Sequence, residues 1–206
     1  MAETVPDRPF PVARQARLAV FASGRGSNLA SLLGAFPTTG EEPLAAVRLV
    51  VSDRQAALAL AAAEAAGVPS RHIPFARDRE RFEAAADEAL REHAIDLVCL
   101  AGFMRVLSPA FAERWHGRML NVHPSLLPAF RGLQATRQAL EAGVDESGCT
   151  VHFVDAGVDT GRTIVQRRVR IEARDDEPAL ARRILHEEHI AYPEAVRLVL
   201  RGEVTP

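Results

Sequence analysis

The segment NVHPSLLP contains Asn121 and His123, two positions apart, and these are the residue types in the chain best suited to chemistry. They end an apolar run that predicts a buried strand, and a loop with two prolines follows. Successive side chains of a strand point to opposite faces, so Asn121 and His123 share a face. An amide donor and a titratable ring at the carboxyl end of a strand suit an oxygen that gains negative charge. The alternative is a buried structural histidine, which the neighbouring Asn121 disfavours.

A glycine-rich segment, Ser23–Asn28, has the sequence SGRGSN and joins an apolar run to a helical pattern. Glycines permit a tight turn, and the first N–H groups of a helix can bind an anion. Three residues are therefore predicted to bind phosphate: Gly26, Ser27 and Asn28. The dinucleotide-binding fingerprint is not matched, because Leu29 occupies the position of its third glycine. Asp53 ends the next strand as a ribose-binding acid would, so this segment leaves a nicotinamide enzyme open, as well as a turn without a ligand.

Two further segments carry charged or titratable groups, and the spacing of these residues does not decide their roles. Asp159 lies in the sequence DAGVDTGR, which is either a turn between strands or a loop that brings a carboxylate to His123. The tetrad HEEH, His186–His189, places its histidines three positions apart, whereas the H-E-x-x-H zinc motif needs four. We predict a solvated helical face or a substrate-facing glutamate at this tetrad, and no metal site.

These segments sit within a regular alternation of strand-like and helix-like patterns. From residue 16 to about residue 143, short apolar runs typical of buried strands alternate with amphipathic or alanine-rich helical runs. This order predicts an α/β fold, a Rossmann-like and mostly parallel twisted sheet with helices on both faces. The strand-like runs 148–155 and 163–171 predict a hairpin or an extension of the sheet. A long C-terminal helical pattern follows, bent or split at Pro193.

The composition is that of an ordinary globular domain. The chain has 206 residues, 48% of them hydrophobic and 25% charged, and a formal net charge of −2. This balance predicts no broad basic surface for nucleic acid, and no apolar run is long enough to predict a membrane span. We expect residues 1–15 to be a flexible tail and not a signal peptide, and residues 16–206 to be a single domain. Two isolated cysteines fit a reducing, cytoplasmic setting.

Four segments together resemble the folate-dependent formyltransferases: SGRGSNL, LAGFMRVLS, NVHPSLLPAFRGLQATRQALEAG and VHFVDAGVDTG, in this order. The resemblance extends from about Ala16 to about Leu200. The Asn-x-His-Pro-Ser-Leu-Leu-Pro segment is specific to the family as a class, while the glycine loop and the short length resemble its glycinamide ribonucleotide members. The resemblance implies transfer of a formyl group from the co-substrate 10-formyltetrahydrofolate to the amino group of N1-(5-phospho-D-ribosyl)glycinamide, in de novo purine (IMP) biosynthesis.

The resemblance also implies roles for individual residues. Three would be catalytic: Asn121, His123 and Asp159. Four would bind the ribonucleotide: Gly26, Ser27, Asn28 and Glu188. Six would bind folate: Arg79, Met104, Arg105, Val106, Leu107 and Asn121. The chain departs from residues that are frequent in the family at four positions: Asp53, Arg131, Gln134 and Thr136. None of these departures removes a catalytic group, so they affect the pocket and not the reaction.

The expected mechanism is direct attack of the neutral amine on the formyl carbon, without a covalent enzyme intermediate and without a metal. Asn121 and a protonated His123 would donate hydrogen bonds to the carbonyl oxygen as it gains charge, each worth about 3 kcal/mol in a dry site. Asp159 would favour the protonated ring of His123 and would help to move the proton from the amine to the folate nitrogen through water.

The sequence leaves three other functions open. Methionyl-tRNA formyltransferase shares the Asn-x-His-Pro core, but it has a further C-terminal domain and a basic surface for tRNA. Formyltetrahydrofolate hydrolase also shares the core and has an N-terminal regulatory domain. A non-enzymatic nucleotide-binding module would need the glycine loop but not the three catalytic groups. We expect small-molecule substrates, no nucleic-acid or membrane partner, and a monomer or a homodimer.

Overall fold

A seven-stranded sheet runs through the centre of the structure, a computed structural model that describes residues 10–38, 44–76 and 78–206. The strands are β1 (Ala16–Phe21), β2 (Ala45–Ser52), β3 (Ser70–His72), β4 (Leu97–Leu100), β5 (Met119–His123), β6 (Glu146–Phe153) and β7 (Thr163–Arg170). Their order across the sheet is β3-β2-β1-β4-β5-β6-β7. The pairs from β3 to β5 are parallel, whereas β5–β6 and β6–β7 are antiparallel. The predicted mostly parallel sheet is confirmed, and its last two strands form both a hairpin and an extension.

Helices cover both faces of the sheet, as the alternating pattern predicts. Six are assigned in the described ranges: α1 (Ser27–Ala35), α2 (Leu58–Ala65), α3 (Arg79–Glu92), α4 (Pro109–Arg114), α5 (Ala135–Glu141) and α6 (Glu177–Leu200). Leu18 and Val20 of β1 pack in one core with residues of α1, α2 and α6. Ala19 and Phe21 point to the other face and pack with α3 and α4. None of these helices combines the length and the apolar character that crossing a membrane requires.

The parallel pairing brings the predicted site segments to one edge of the sheet. The carboxyl ends of β2, β1, β4 and β5 are neighbours there, where open α/β sheets bind their ligands. The glycine segment follows β1, residues 101–108 follow β4, and the loop 124–134 follows β5. The fold therefore positions all three segments before any side-chain contact is considered.

The sequence patterns do not predict helix α4. Its six residues offer too few apolar positions to reveal a helical period. The local start signal is nevertheless present, because the side chain of Ser108 accepts a hydrogen bond from the backbone N–H of Phe111 and Pro109 occupies the first turn.

Part of the segment expected to be a flexible tail, residues 10–15, contacts the rest of the protein. Phe10 is buried in the core, and Arg14 forms an ion pair with Asp96 at 2.7 Å. An apolar anchor and a charge partner thus hold residues 10–15 against the rest of the protein. Residues 1–9 of the expected tail lie outside the described residues, and a single domain for the remaining chain stays a prediction.

Helix α6 continues through Pro193 and is not split there. Proline has no N–H, so it leaves the carbonyl four residues earlier, that of His189, without its helical donor. The hydroxyl of Ser31 in α1 donates a hydrogen bond to this carbonyl at 2.6 Å. Helix α1 therefore supplies the missing hydrogen bond and is tied to α6 at this point.

We predict that Ser31→Ala lowers the free energy of unfolding by about 1 kcal/mol, the usual net contribution of a hydrogen bond. The cost is expected to be smaller in a Pro193→Ala background, because the backbone N–H gained at position 193 then serves the His189 carbonyl. Urea denaturation of the four proteins of this double-mutant cycle measures the coupling. Equal costs in the two backgrounds would contradict this account of α6.

Candidate active site

The pairing of β5 with β6 assembles the centre of the candidate site. Asn121 pairs with His152, and His123 pairs with Thr150, so the four side chains share one face of the sheet. The loop between β6 and β7 brings Asp159 beside them. The structure thus places the three predicted catalytic residues together. It adds His152, whose position beside Asn121 depends on the register of β6 against β5, which the sequence pattern does not reveal.

Asp159 is the hub of this cluster. Its Oδ2 accepts a hydrogen bond from the backbone N–H of Gly132 at 2.8 Å and lies 3.3 Å from Nδ1 of His123. Its Oδ1 lies 3.4 Å from Nδ2 of Asn121 and 3.6 Å from Nε2 of His152. Partial burial acts to raise the pKa of Asp159, but the hydrogen bonds from His152 and Gly132 and the positive charge of His123 outweigh it and lower this pKa. The carboxylate is therefore ionised at neutral pH.

The ring of His123 is buried between two hydrogen-bond acceptors. Nε2 lies 2.8 Å from the carbonyl oxygen of Phe130, and Nδ1 faces the carboxylate of Asp159. A carbonyl and an ionised carboxylate can only accept, so each ring nitrogen of His123 faces an acceptor. Nδ1 is the nitrogen that points toward Asp159.

The two nitrogens of the second ring, that of His152, differ in their hydrogen-bond roles: Nδ1 can only donate here, whereas Nε2 can accept or donate. Nδ1 lies 2.7 Å from the carbonyl oxygen of Phe153, which requires a hydrogen on Nδ1. Nε2 lies 3.2 Å from Nδ2 of Asn121 and 3.6 Å from Asp159. This nitrogen accepts from the amide when the ring is neutral and donates to the carboxylate when the ring is protonated. His152 therefore couples the amide of Asn121 to the charge of Asp159.

The glycine segment forms a close turn before α1. Gly26 has φ +77°, and a Cβ at this position would lie 3.0 Å from Cα of Ala59, so a side chain would be strained by the backbone and crowded by Ala59. Gly26 is the N-cap of α1 and Ser27 is its first residue, so backbone N–H groups at this end are available to an anion. The side chain of Asn28 instead points inward and donates to Glu188.

Glu188 is the residue of the HEEH tetrad that points into the protein. Its carboxylate is buried and accepts from Nδ2 of Asn28 at 2.7 Å, while His186 is exposed. Burial raises the pKa of Glu188, and the hydrogen bond from Asn28 opposes this only in part. The Oδ1 atom of Asn28 is buried without a partner among the described residues. Nowhere in the described ranges do three or more His, Cys, Asp or Glu side chains form a group able to hold a metal ion.

An open cleft of about 830 Å³ lies between the start of α3 and the segment that follows β4. Its walls include four of the residues expected on the folate side: Arg79, Met104, Arg105 and Val106. Phe75, Asp78 and Glu80 complete the lining. Leu107 packs against the α3 core, and neither it nor Asn121 lines this cleft. Contact of Leu107 and Asn121 with folate therefore stays a prediction, which the lining of this cleft does not support.

Asp53 is buried and holds one of the side chains that line the cleft. Its carboxylate has no exposed surface and accepts from Nε of Arg105 at 2.7 Å. The guanidinium of Arg105 also lies 4.9 Å from the ring centre of Phe75. Asp53 is thus engaged through Oδ2 in holding a cleft-lining side chain, while its Oδ1 is buried without a partner among the described residues.

The match to known proteins covers most of the chain. The sequence model of the family described as Formyl transferase matches residues 16–196. The chain belongs to the formyl transferase family. A relative in Escherichia coli (strain K12), named Phosphoribosylglycinamide formyltransferase, is 42% identical over 190 residues, which are 91% of this chain and 88% of that protein.

Longer proteins also contain this formyl transferase unit. The Trifunctional purine biosynthetic protein adenosine-3 of Drosophila melanogaster is 49% identical over 192 residues, which are 92% of this chain. The chain spans only 14% of the length of that relative. Among solved structures, the phosphoribosylglycinamide formyltransferase of Anaplasma phagocytophilum has a TM-score of 0.86 and 42% sequence identity, and the match covers 92% of this chain and 88% of that one.

We predict that Glu188→Gln raises the free energy of unfolding at pH 7 by roughly 1–3 kcal/mol, the scale for a buried polar group that gains a partner. The introduced amide carries no charge, still accepts from Asn28, and can donate to the unpartnered oxygen of Asn28.

The pH dependence provides the check. Because the folded-state pKa of Glu188 is raised, the folded protein binds the proton more tightly than the unfolded chain. The wild type therefore loses stability as the pH rises above about 4.3, the ordinary pKa of Glu. Urea denaturation at pH 7 and at pH 4 should show a gain that shrinks at the lower pH. A gain of the same size at both pH values would show that the charge is not its cause.

Proposed function

We propose that the chain transfers the formyl group of 10-formyltetrahydrofolate to the amino group of N1-(5-phospho-D-ribosyl)glycinamide in de novo purine (IMP) biosynthesis. The observation that carries the proposal is the convergence of Asn121, His123 and Asp159 at the carboxyl end of β5, in a member of the formyl transferase family. The names of the relatives support this choice of acceptor. The proposal includes action in the cytoplasm on these two small molecules, by a monomer or a homodimer.

Two regions at the same edge of the sheet support the binding of two substrates. On the face covered by α1 and α6, the turn at Gly26 suits a phosphate, and the carboxylate of Glu188 suits an amino group. On the face covered by α3 and α4, the cleft has a volume within the range of about 300–1,000 Å³ typical of small-molecule sites. Phe75 and Arg105 offer this second ligand an aromatic surface and a cation. The catalytic cluster lies at the edge that the two faces share.

10-Formyltetrahydrofolate supplies the formyl carbon, whose bond to N10 is replaced by a bond to the amine nitrogen while one proton passes from the amine to N10. Asn121 and Nδ1–H of His123 donate to the formyl oxygen as it gains charge, and each such donor contributes about 3 kcal/mol in a dry site. The 3.3 Å separation of Nδ1 from Asp159 is longer than a tight charged hydrogen bond of about 2.7–2.9 Å, so this hydrogen can also serve the formyl oxygen.

Asp159 maintains the charge state that this arrangement needs. Its lowered pKa keeps it ionised, so it stabilises the positive ring of His123 at neutral pH. The same carboxylate can accept a hydrogen bond from a water that takes the proton of the attacking amine. Both roles need the negative charge and not only the shape of the side chain.

An absorbance assay of the folate product tests the proposed function. Purified protein is mixed with 10-formyltetrahydrofolate, with the glycinamide ribonucleotide present or omitted. We expect product only when the ribonucleotide is present. Product in its absence would identify a hydrolase instead, and no product in either mixture would contradict formyl transfer to this acceptor.

We predict that Asp159→Asn lowers kcat by roughly 10²–10⁴-fold, the usual range for lost acid–base assistance. Both KM values are expected to change much less, because the interaction matters mainly in the transition state. Asp145→Asn, which removes an exposed charge before β6, is the control. A large rise in either KM with an unchanged kcat would assign Asp159 to substrate binding.

A further inference from the structure

The carbonyl group of Phe130 decides which nitrogen of His123 faces the reaction. It accepts from Nε2 at 2.8 Å, so Nδ1 is the nitrogen left to face Asp159 and the formyl oxygen. A ring rotated by half a turn about Cβ–Cγ would put Cε1 in place of Nε2 and Cδ2 in place of Nδ1, so both contacts would be lost. The orientation of a histidine is set by the hydrogen bond that its other nitrogen makes. The position of this carbonyl therefore matters for catalysis.

The backbone conformation of Phe130 that points this carbonyl at His123 is an unfavourable one. Its φ is +54°, in the left-handed region, which residues with a bulky side chain rarely occupy. Such a conformation persists only where the surrounding structure holds it. The contacts that hold the loop between β5 and α5 thus also help to position the ring of His123.

The loop is held by a row of side chains that crosses three strands. His123 pairs with Thr150, and Thr150 pairs with Gln166, so the row runs from β5 through β6 to β7. The hydroxyl of Thr150 donates to the carbonyl of Ser125 at 2.7 Å and accepts from the N–H of Leu127 at 3.0 Å. It also accepts from Nε2 of Gln166 at 2.9 Å. One donated and two accepted bonds use the full capacity of a hydroxyl.

Gln166, on the edge strand β7, makes the last hydrogen bonds of this row. Its Nε2 also donates to the carbonyl of Leu127 at 2.7 Å, so both hydrogens of the amide are used. Within the loop, the hydroxyl of Ser125 donates to the carbonyl of Ala129 at 2.6 Å, the residue that precedes Phe130. A continuous set of hydrogen bonds thus connects the exposed strand β7 to the Ala129–Phe130 peptide, which immediately precedes the carbonyl group that contacts His123.

We propose that Thr150 and Gln166 are positioning residues: they hold the loop 125–130 so that the carbonyl of Phe130 fixes the ring of His123 with Nδ1 toward the substrates. Their effect on catalysis rests on the proposed function, whereas their effect on the ring does not. Neither side chain contacts the three predicted catalytic groups in the hydrogen bonds of the described residues. Gln166 lies on the surface, where no pattern in the sequence marks it.

The first test compares Gln166→Met with Arg168→Met. Methionine has nearly the shape of glutamine but donates no hydrogen bond, and Arg168 lies two residues along the same exposed strand. We expect Gln166→Met to lower kcat by roughly 10–100-fold, as small misplacements of a catalytic group do. The two KM values and the thermal midpoint should change little. Arg168→Met, which loses only an exposed ion pair with Glu146, should keep the wild-type kcat. Equal losses in both variants would overturn the proposal.

The second test uses the buried end of the row. Thr150→Val keeps the shape of the side chain and removes all three hydrogen bonds, whereas Thr150→Ser keeps the hydroxyl. We expect a loss of kcat in the first variant and recovery of most of it in the second. Equal activities of the two variants would contradict a role for the hydroxyl. If Thr150→Val does not fold, Gln166→Met still decides the matter, because position 166 is exposed.

A measurement without substrate separates this proposal from the proposed function. The ¹⁵N signals of the His123 ring are recorded by NMR at pH 7 in the wild type, Gln166→Met and Arg168→Met, all of which retain Asp159 and His152. We expect the Nε2 signal to change in Gln166→Met alone. Unchanged ring signals in that variant would overturn the positioning role. A changed signal, in a protein whose wild type transfers no formyl group, would support the positioning role and overturn only the proposed function.

Discussion

The antiparallel register of β6 against β5 is the constraint on which the site depends. The parallel strands alone bring Asn121 and His123 to the edge of the sheet, but they provide neither side chain with a partner. Strand β6 places His152 and Thr150 opposite them, and the loop after β6 returns Asp159 to the same edge. A slip of one residue would turn every β6 side chain to the other face and remove all of these contacts at once. A mixed sheet is therefore a requirement of this centre.

The sequence predicts those parts of the structure that short stretches of chain determine. The buried run around Cys99, the glycine turn at Gly26 and the alanine-rich helix before Gly67 each carry their own local signal. The period of a strand predicts that Asn121 and His123 share a face, whereas Asp159 joins them only through the family resemblance, because no spacing rule connects residues so far apart. The contact between His152 and Asn121 and the carbonyl of Phe130 were missed because both depend on strand pairing and loop conformation.

Several buried polar atoms of the described residues lack a hydrogen-bond partner, and two of them belong to the site. Oδ1 of Asn28 and Oδ1 of Asp53 are both buried without a partner among the described residues, and both lie at the edge that carries the predicted ligands. Their partnered atoms hold Glu188 and Arg105, which are predicted to bind the two proposed substrates. Buried polar atoms without partners destabilise a fold, and they are expected where a fold serves a ligand. These positions indicate where stability and binding make opposing demands.

The proline in α6 has a consequence for how such a protein could be engineered. Asn28 and Ser31 lie one turn apart on α1, and their partners Glu188 and the carbonyl of His189 are adjacent on α6. The two hydrogen bonds help to set the rotation and the axial position of α6 beside α1, and the second exists because Pro193 leaves that carbonyl available. A helix-favouring replacement of Pro193 would improve α6 as an isolated helix and at the same time weaken its attachment to α1. A search guided by thermal stability alone would therefore select against the alignment of the acid at position 188.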